Sequence, residues 1–205
     1  ANINTTSQAN NLLVAQNRPS DRDQFLQRVD FVESTNSNWF GRYSRSEDNQ
    51  LTPEIKFNGT TVFNRVHQAM ISNTRVLTPT LVNDFRFGYN KFFNTIGPEL
   101  AFIRDVVGEY KIQGLPSPDA SAWGPMGVAI AGYSGFGGQP GVFTNFNHQF
   151  QWVDTVSWTR GTHTFRFGTE IRRDRFNQIG NQFLNGNFNF DPLATVNPAS
   201  PAGTG

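Results

Sequence analysis

The chain has no cysteine, which excludes disulfide frameworks and thiolate metal centres. Charge is also scarce: Asp, Glu, Lys and Arg together make up 16% of the residues, where ordinary soluble domains carry about 25%. The net charge of +1 gives no concentrated basic surface for phosphate backbones, so no nucleic-acid partner is expected. The one cluster of arginines, Arg172, Arg173 and Arg175, is interrupted by Asp174. No apolar run approaches the ~18 residues that a membrane-crossing helix needs. The first residues, Ala-Asn-Ile-Asn, show no basic-then-apolar leader, and 197–205 reads as Pro/Ala/Gly loop. Both ends look cut, and the chain is expected to be a piece of a longer protein.

Aliphatic residues are few as well, and the mean hydropathy is −0.47. The gap is filled by Asn, Gln, Ser, Thr and Gly, while the apolar residues are dominated by 20 Phe, with 4 Trp and 4 Tyr. Aromatic and β-branched side chains suit a pleated surface, and Gly, Asn and Ser suit turns. The composition predicts strands and turns, with little helix.

Period-two alternation confirms that reading locally. In 81–92, Leu81, Phe85, Phe87 and Tyr89 fall on one face and Asp84, Arg86, Gly88 and Asn90 on the other. In 163–176, Phe165, Phe167, Thr169 and Ile171 oppose Arg166, Gly168, Glu170, Arg172 and Asp174. Both strands contain Phe-Arg-Phe-Gly, at 85–88 and 165–168. Tight connections precede them, Thr78-Pro79-Thr80 and Arg160-Gly161-Thr162, and strand candidates 63–77 and 149–159 lead into those connections. Each unit is a predicted hairpin. A third joins 24–33 to 38–45 through Ser34-Thr35-Asn36-Ser37, and 10–16 and 182–190 are weaker strand candidates.

Between hairpins the connections are long, 46–58 and 93–148, so short and long links alternate. That order is expected of an all-β, antiparallel transmembrane β-barrel wall of about 6–8 strands, with short periplasmic turns and long extracellular loops. Strands of ~9–11 residues tilted at ~45° cross the hydrocarbon layer. Phe150 and Trp158 share a face and would stand roughly 20 Å apart across it, at two aromatic girdles. Asp154 breaks the pattern, since it shares parity with Trp152, Val156 and Trp158. A β-bulge, a protein-covered strand, or an inward-facing side would each account for it.

The stretch 151–176, QWVDTVSWTRGTHTFRFGTEIRRDRF, resembles a hairpin of TonB-dependent outer-membrane receptors, in particular the Oar-like group with a carboxypeptidase-regulatory-like N-terminal domain. TPTLVNDFRFGYNKF at 78–92 resembles another hairpin of that group, and Gln27-Arg28-Val29-Asp30 with Phe40-Gly41-Arg42-Tyr43-Ser44 a third. The resemblance implies a barrel of about 22 strands closed by a plug. It also implies import of a scarce or large solute, driven through TonB by way of an N-terminal part outside this chain. The partners would be outer-membrane lipid, the rest of the barrel and plug, TonB and an unknown extracellular solute. Two other classes fit the residues: a soluble β-sandwich carbohydrate-binding module, and a small structural outer-membrane barrel.

For the lumen, the alternation nominates Arg28, Asp30, Asp84, Arg86, Arg166, Glu170, Arg172 and Asp174, as solute contacts or, more simply, as the usual polar lining with opposite charges paired between strands. For lipid it nominates Phe85, Phe87, Tyr89, Phe165, Phe167 and Ile171. In the loop 93–148, Tyr110, Trp123, Tyr133, Phe136 and Phe143 are candidate ligand contacts, or packing over the barrel mouth. His67, His148 and His163 are too far apart for a metal set and read as surface or rim residues. Gly132-Tyr133-Ser134-Gly135-Phe136-Gly137-Gly138 lacks the Gly-Lys-Ser/Thr ending of a P-loop. No Ser has a nucleophile-elbow context, and the carboxylates Asp105 and Glu109 read as a polar turn. No cofactor and no enzymatic activity are expected. The prediction is that this chain expressed alone aggregates or requires detergent; a cooperatively melting monomer in plain buffer, seen by sedimentation and circular dichroism, would overturn the membrane reading.

Overall fold

A computed structural model describes residues 2–3, 12–55, 59–115, 119–138, 141–182 and 184–191. The loop sequence at 197–205 lies outside them, as do residues 56–58, 116–118 and 139–140 of the long connections and residues 10, 11 and 183 of the two weak strand candidates.

Two short strands, β1 (Asn2–Ile3) and β2 (Leu12–Leu13), pair with each other and, among the described residues, with no other strand. Six long strands follow: β3 (Ser20–Ser34), β4 (Ser37–Thr52), β5 (Thr60–Thr78), β6 (Leu81–Pro98), β8 (Phe143–Arg160) and β9 (His163–Ile179). They form one antiparallel sheet in the order β3-β4-β5-β6-β8-β9. Between β6 and β8 the chain makes a four-residue helix, α1 (Val106–Glu109), and a strand, β7 (Gly127–Ile130). β7 pairs in parallel with β10 (Asn187–Phe190). The candidates at 10–16 and 182–190 therefore do not extend the large sheet; β10 instead ties the segment after β9 to the long connection.

The three predicted hairpins are present with the predicted turns. Ser34 pairs with Ser37, Thr78 with Leu81 and Arg160 with His163, and all three turns lie at one end of the sheet. Gly161 has φ of 62°, a left-handed conformation that glycine adopts without strain. Backbone bonds from Val76 N–H to Asn36 O and from Thr159 N–H to Thr80 O, both 2.8 Å, lock neighbouring hairpins together at that end.

The strands are longer than the sequence pattern suggested, 15 to 19 residues. At ~3.3 Å per residue and ~40° tilt, an 18-residue strand rises about 45 Å, well beyond a ~25 Å apolar band. The connections shrink accordingly, to residues 53–59 and 99–142. Alternation lapses where Phe92 and Phe93 adjoin and where Asn dominates, so periodicity ends before pairing does.

The six-stranded sheet is a single layer, with no second sheet of comparable size on either face among the described residues, which removes the sandwich alternative. Among the described residues its buried members are the polar Ser37 and Asn73 and, at the very end of β6, Gly97 and Pro98; the buried apolar residues Val107, Ala122 and Met126 belong to the 99–142 connection. The sheet thus has no hydrophobic core of its own, and Phe31, Phe167 and Ile171 are each about 60% exposed.

Register between β6 and β8 is continuous from Leu81↔Trp158 to Ile96↔Phe143, so no bulge relieves Asp154. It stands on the face of Trp152 and Phe85, and Asn83 Nδ2 donates to its Oδ1 at 2.6 Å. Replacing Asn83 by Leu is expected to leave that carboxylate unsatisfied and to destabilise the folded protein by about 1–3 kcal/mol. Asn83→Leu with Asp154→Leu should recover most of the loss. Heat-modified mobility on gels and denaturant titration in detergent measure both.

Candidate functional surfaces: a polar face, an aromatic face and a cap

Directly opposed residues in a sheet share a face, so the pairing registers sort every strand residue onto one of two surfaces. One surface carries Phe25, Val29 and Phe31 of β3, Trp39 and Tyr43 of β4, Ile71 of β5, Phe85, Phe87 and Tyr89 of β6, Phe150, Trp152 and Trp158 of β8, and Phe165, Phe167 and Ile171 of β9. Rings meet across strands as Phe87–Trp152 (5.3 Å), Tyr89–Phe150 (5.0 Å), Phe93–Phe146 (5.1 Å) and Trp158–Phe165 (5.7 Å), all within the 4.5–7 Å range of favourable aromatic pairs. The six aromatic and aliphatic residues nominated for lipid all stand on this face.

The eight nominated charges all stand on the opposite face. Their pairing differs from expectation. Arg28–Asp30 (2.7 Å), Arg86–Asp84 (2.8 Å) and Arg172–Asp174 (3.0 Å) join residues two apart on one strand, not partners on neighbouring strands. Across strands Arg28 stands opposite Arg42, and Arg172 opposite Gln151, so the nearest carboxylate is the one along the chain. Glu170 takes a cross-strand bond from Gln151 Nε2 at 2.7 Å.

Nearer the long connections, this polar face bears a row spanning all six strands that the sequence reading missed. Arg22 pairs with Asp48 at 3.2 Å, and Asp48 stands opposite Asn64. Amide hydrogen bonds then run Asn94 Nδ2 to Asn64 Oδ1 (2.7 Å), Asn145 Nδ2 to Asn94 Oδ1 (2.9 Å) and Gln178 Nε2 to Asn145 Oδ1 (2.7 Å). Asn94 and Asn145 each donate to one neighbouring strand and accept from the other. The signal was present as Asn or Gln at one register level in four strands, but it becomes visible only once the pairing is known.

The connection 99–142 forms a cap. Asp105 accepts from Gly108 N–H at 2.9 Å to start α1, and Glu109 takes three hydrogen bonds from Arg104. The Arg104 guanidinium holds the Glu109 carboxyl below the usual carboxylate range. Tyr110 and Tyr133 are exposed (69% and 79%), Phe136 bridges back to Val128, and Trp123 is half-buried. Gly137 (φ 65°) makes this reversal possible, since a Cβ there would collide with Met126 O. The glycine run is therefore a chain reversal. Phe143 does not belong to the cap: it is the first residue of β8, and a Cβ at Gly180 would strike its ring. The five nominated aromatics are thus not one cluster.

His67 and His148 stand on the aromatic face of the sheet, level with Lys91. They lie within β5 and β8, where Nδ1 of each is 2.8 Å from the hydroxyl of Tyr43 and Tyr89 respectively. His163 flanks the turn beside Phe165. Among the described residues no group of His or carboxylates has metal-binding geometry.

A single-layer antiparallel sheet, aromatic on one face and polar on the other, with tight turns at one end and long connections at the other, is the wall of a transmembrane β-barrel. The chain belongs to the outer membrane beta barrel domain family, whose model matches residues 1–204, and its place is the bacterial outer membrane. No curated protein and no solved structure matches it.

The amide row yields a prediction. Asn94→Leu removes the group that both donates to Asn64 and accepts from Asn145. It should lower stability by about 1–3 kcal/mol and expose 93–98 and 143–147 to faster amide hydrogen exchange, with 81–90 unchanged.

Proposed function

We propose that the chain is part of the barrel of a TonB-dependent outer-membrane transporter. It would form wall and extracellular cap for import of a scarce or large solute and carry out no chemistry itself. The observation that carries this reading is the six-strand-wide polar face bounded by two edge strands. β3 and β9 have no further partner within the described sheet. Unpaired backbone groups in hydrocarbon cost several kcal/mol each, so further strands must close the barrel.

In this reading Phe85, Phe87, Tyr89, Phe165, Phe167 and Ile171 meet acyl chains. Arg28, Asp30, Asp84, Arg86, Arg166, Glu170, Arg172 and Asp174 line a lumen or face a plug. Their pairing along the strand supports a lining role over solute capture, because it leaves few charges open to a ligand. Solute contact falls instead to the cap, where Tyr110 and Tyr133 stand free of the sheet. The resemblance of the three hairpins to TonB-dependent receptors supplies the transporter class, the plug and TonB as partner.

The test is a structure of the full-length protein extracted from outer membranes. The expected result is a closed barrel of many more than six strands, with its lumen filled by a separate domain. A closed barrel of about eight strands whose lumen is filled by its own side chains would replace the transporter reading with a small structural barrel.

A further inference from the structure

The aromatic face changes character at one level. Directly beyond the level of Tyr89, Phe150 and Arg173 stand Lys91 of β6, His148 of β8 and Arg175 of β9, which are register partners in sequence (Lys91↔His148, His148↔Arg175). Arg173, opposite Phe150, adds a fourth nitrogenous side chain to the same face. Strands lie ~4.8 Å apart, so the cluster is about 10 Å wide.

These cations lack counter-charges. Among the described residues no ion pair involves Lys91, Arg173 or Arg175. Along β9 this face offers only Thr169, Ile171 and Asn177 as neighbours, and Asp154 lies opposite Thr169 and takes the Asn83 hydrogen bond. Elsewhere on the face, Glu47 pairs with both Arg45 and Arg65, Glu33 pairs with Arg75, Arg160 lies over the Trp158 ring, and Asp23 stands three strands away from Lys91 on β3.

Depth fixes what meets the cluster. Ten residues of β8 separate Trp158 from His148, about 25 Å of height at ~40° tilt, the span of the apolar band of an outer-membrane barrel. With the tight turns on the periplasmic side, the cluster lies at the outer-leaflet interface. A cation there is tolerated, whereas one at the midplane is strongly disfavoured. Guanidinium forks match phosphate oxygens in pairs, and Phe87, Trp152 and Ile171 immediately below offer a surface for acyl chains.

We propose that Lys91, His148, Arg173 and Arg175 form a binding site on the outside of the barrel wall for the phosphate headgroup of an anionic outer-leaflet lipid. The Tyr89 hydroxyl, 2.8 Å from His148 Nδ1, fixes the imidazole at the edge of the site. The site rests on the aromatic face meeting lipid, and a separate measurement checks that premise.

The experiment uses the full-length protein in nanodiscs of phosphatidylcholine with a minor share of phosphatidylglycerol, with retained lipid counted by native mass spectrometry. Wild type should retain phosphatidylglycerol in preference to phosphatidylcholine. Lys91→Gln/Arg173→Gln/Arg175→Gln should lose that preference by on the order of tenfold or more, because each interfacial cation contributes about a threefold to fivefold preference. A polar-face control, Arg166→Gln/Arg172→Gln, should keep it. Equal retention by wild type and the triple variant overturns the proposal, as does loss in the control alone. Displacement of the lipid by millimolar inorganic phosphate also overturns it, by showing a site for soluble anions. Quenching of Trp152 fluorescence by brominated acyl chains, absent in Trp152→Phe, tests the facing independently. If quenching occurs without lipid preference, the headgroup site fails while the barrel reading stands.

Discussion

Everything in this molecule depends on backbone pairing in a sheet one layer thick. Six strands are held by hydrogen bonds to their neighbours and by side-chain contacts between register partners, with no apolar core beneath them. In water such a sheet would leave Phe, Trp and Ile exposed at large cost, since each buried side chain of this size is worth about 1.5–3 kcal/mol. In a bilayer the same exposure is favourable, and the backbone bonds have no competing water. The fold is therefore stable as a function of its solvent, and its outer-membrane location and its architecture are one physical fact.

Two different interactions carry the sheet along its height. Toward the tight turns, ring-on-ring pairs such as Phe87–Trp152 and Tyr89–Phe150 fill one face while along-strand ion pairs such as Arg86–Asp84 occupy the other. Toward the long connections the amide row from Asn64 to Gln178 takes over, keeping strands paired past the level where Lys91 and Arg175 interrupt the aromatics. The small apolar core of Val107, Ala122 and Met126 sits beyond that, in a connection pinned by the parallel β7–β10 pair. A membrane wall, a hydrogen-bonded extension and a locally packed cap are thus stacked along one set of strands.

The hairpins were legible because their turns and alternation are local. Gly161-Thr162 and Pro79-Thr80 mark reversals, and Phe-Arg-Phe-Gly sorts each strand onto two faces within four residues. The upper strands were not legible: in 143–148 Phe, Thr and Asn alternate in a way that suits loop and strand alike, and only pairing with 91–96 on one side and 175–179 on the other makes them strand. Phe143 was assigned to the loop for that reason. Asp154 was ambiguous because its partner Asn83 is 71 residues away.

The sequence by itself determined the all-β class, the three hairpins, the two-faced wall and the membrane setting, since these follow from composition and from patterns within a single strand or turn. Strand length, the sharing of charge along rather than between strands, the amide row and the cationic cluster were decided only by tertiary structure. Each of these depends on which residues of different strands stand opposite one another. A shift of one residue in pairing would send every side chain of a strand to the other face, and no local pattern encodes that register across a connection as long as 99–142.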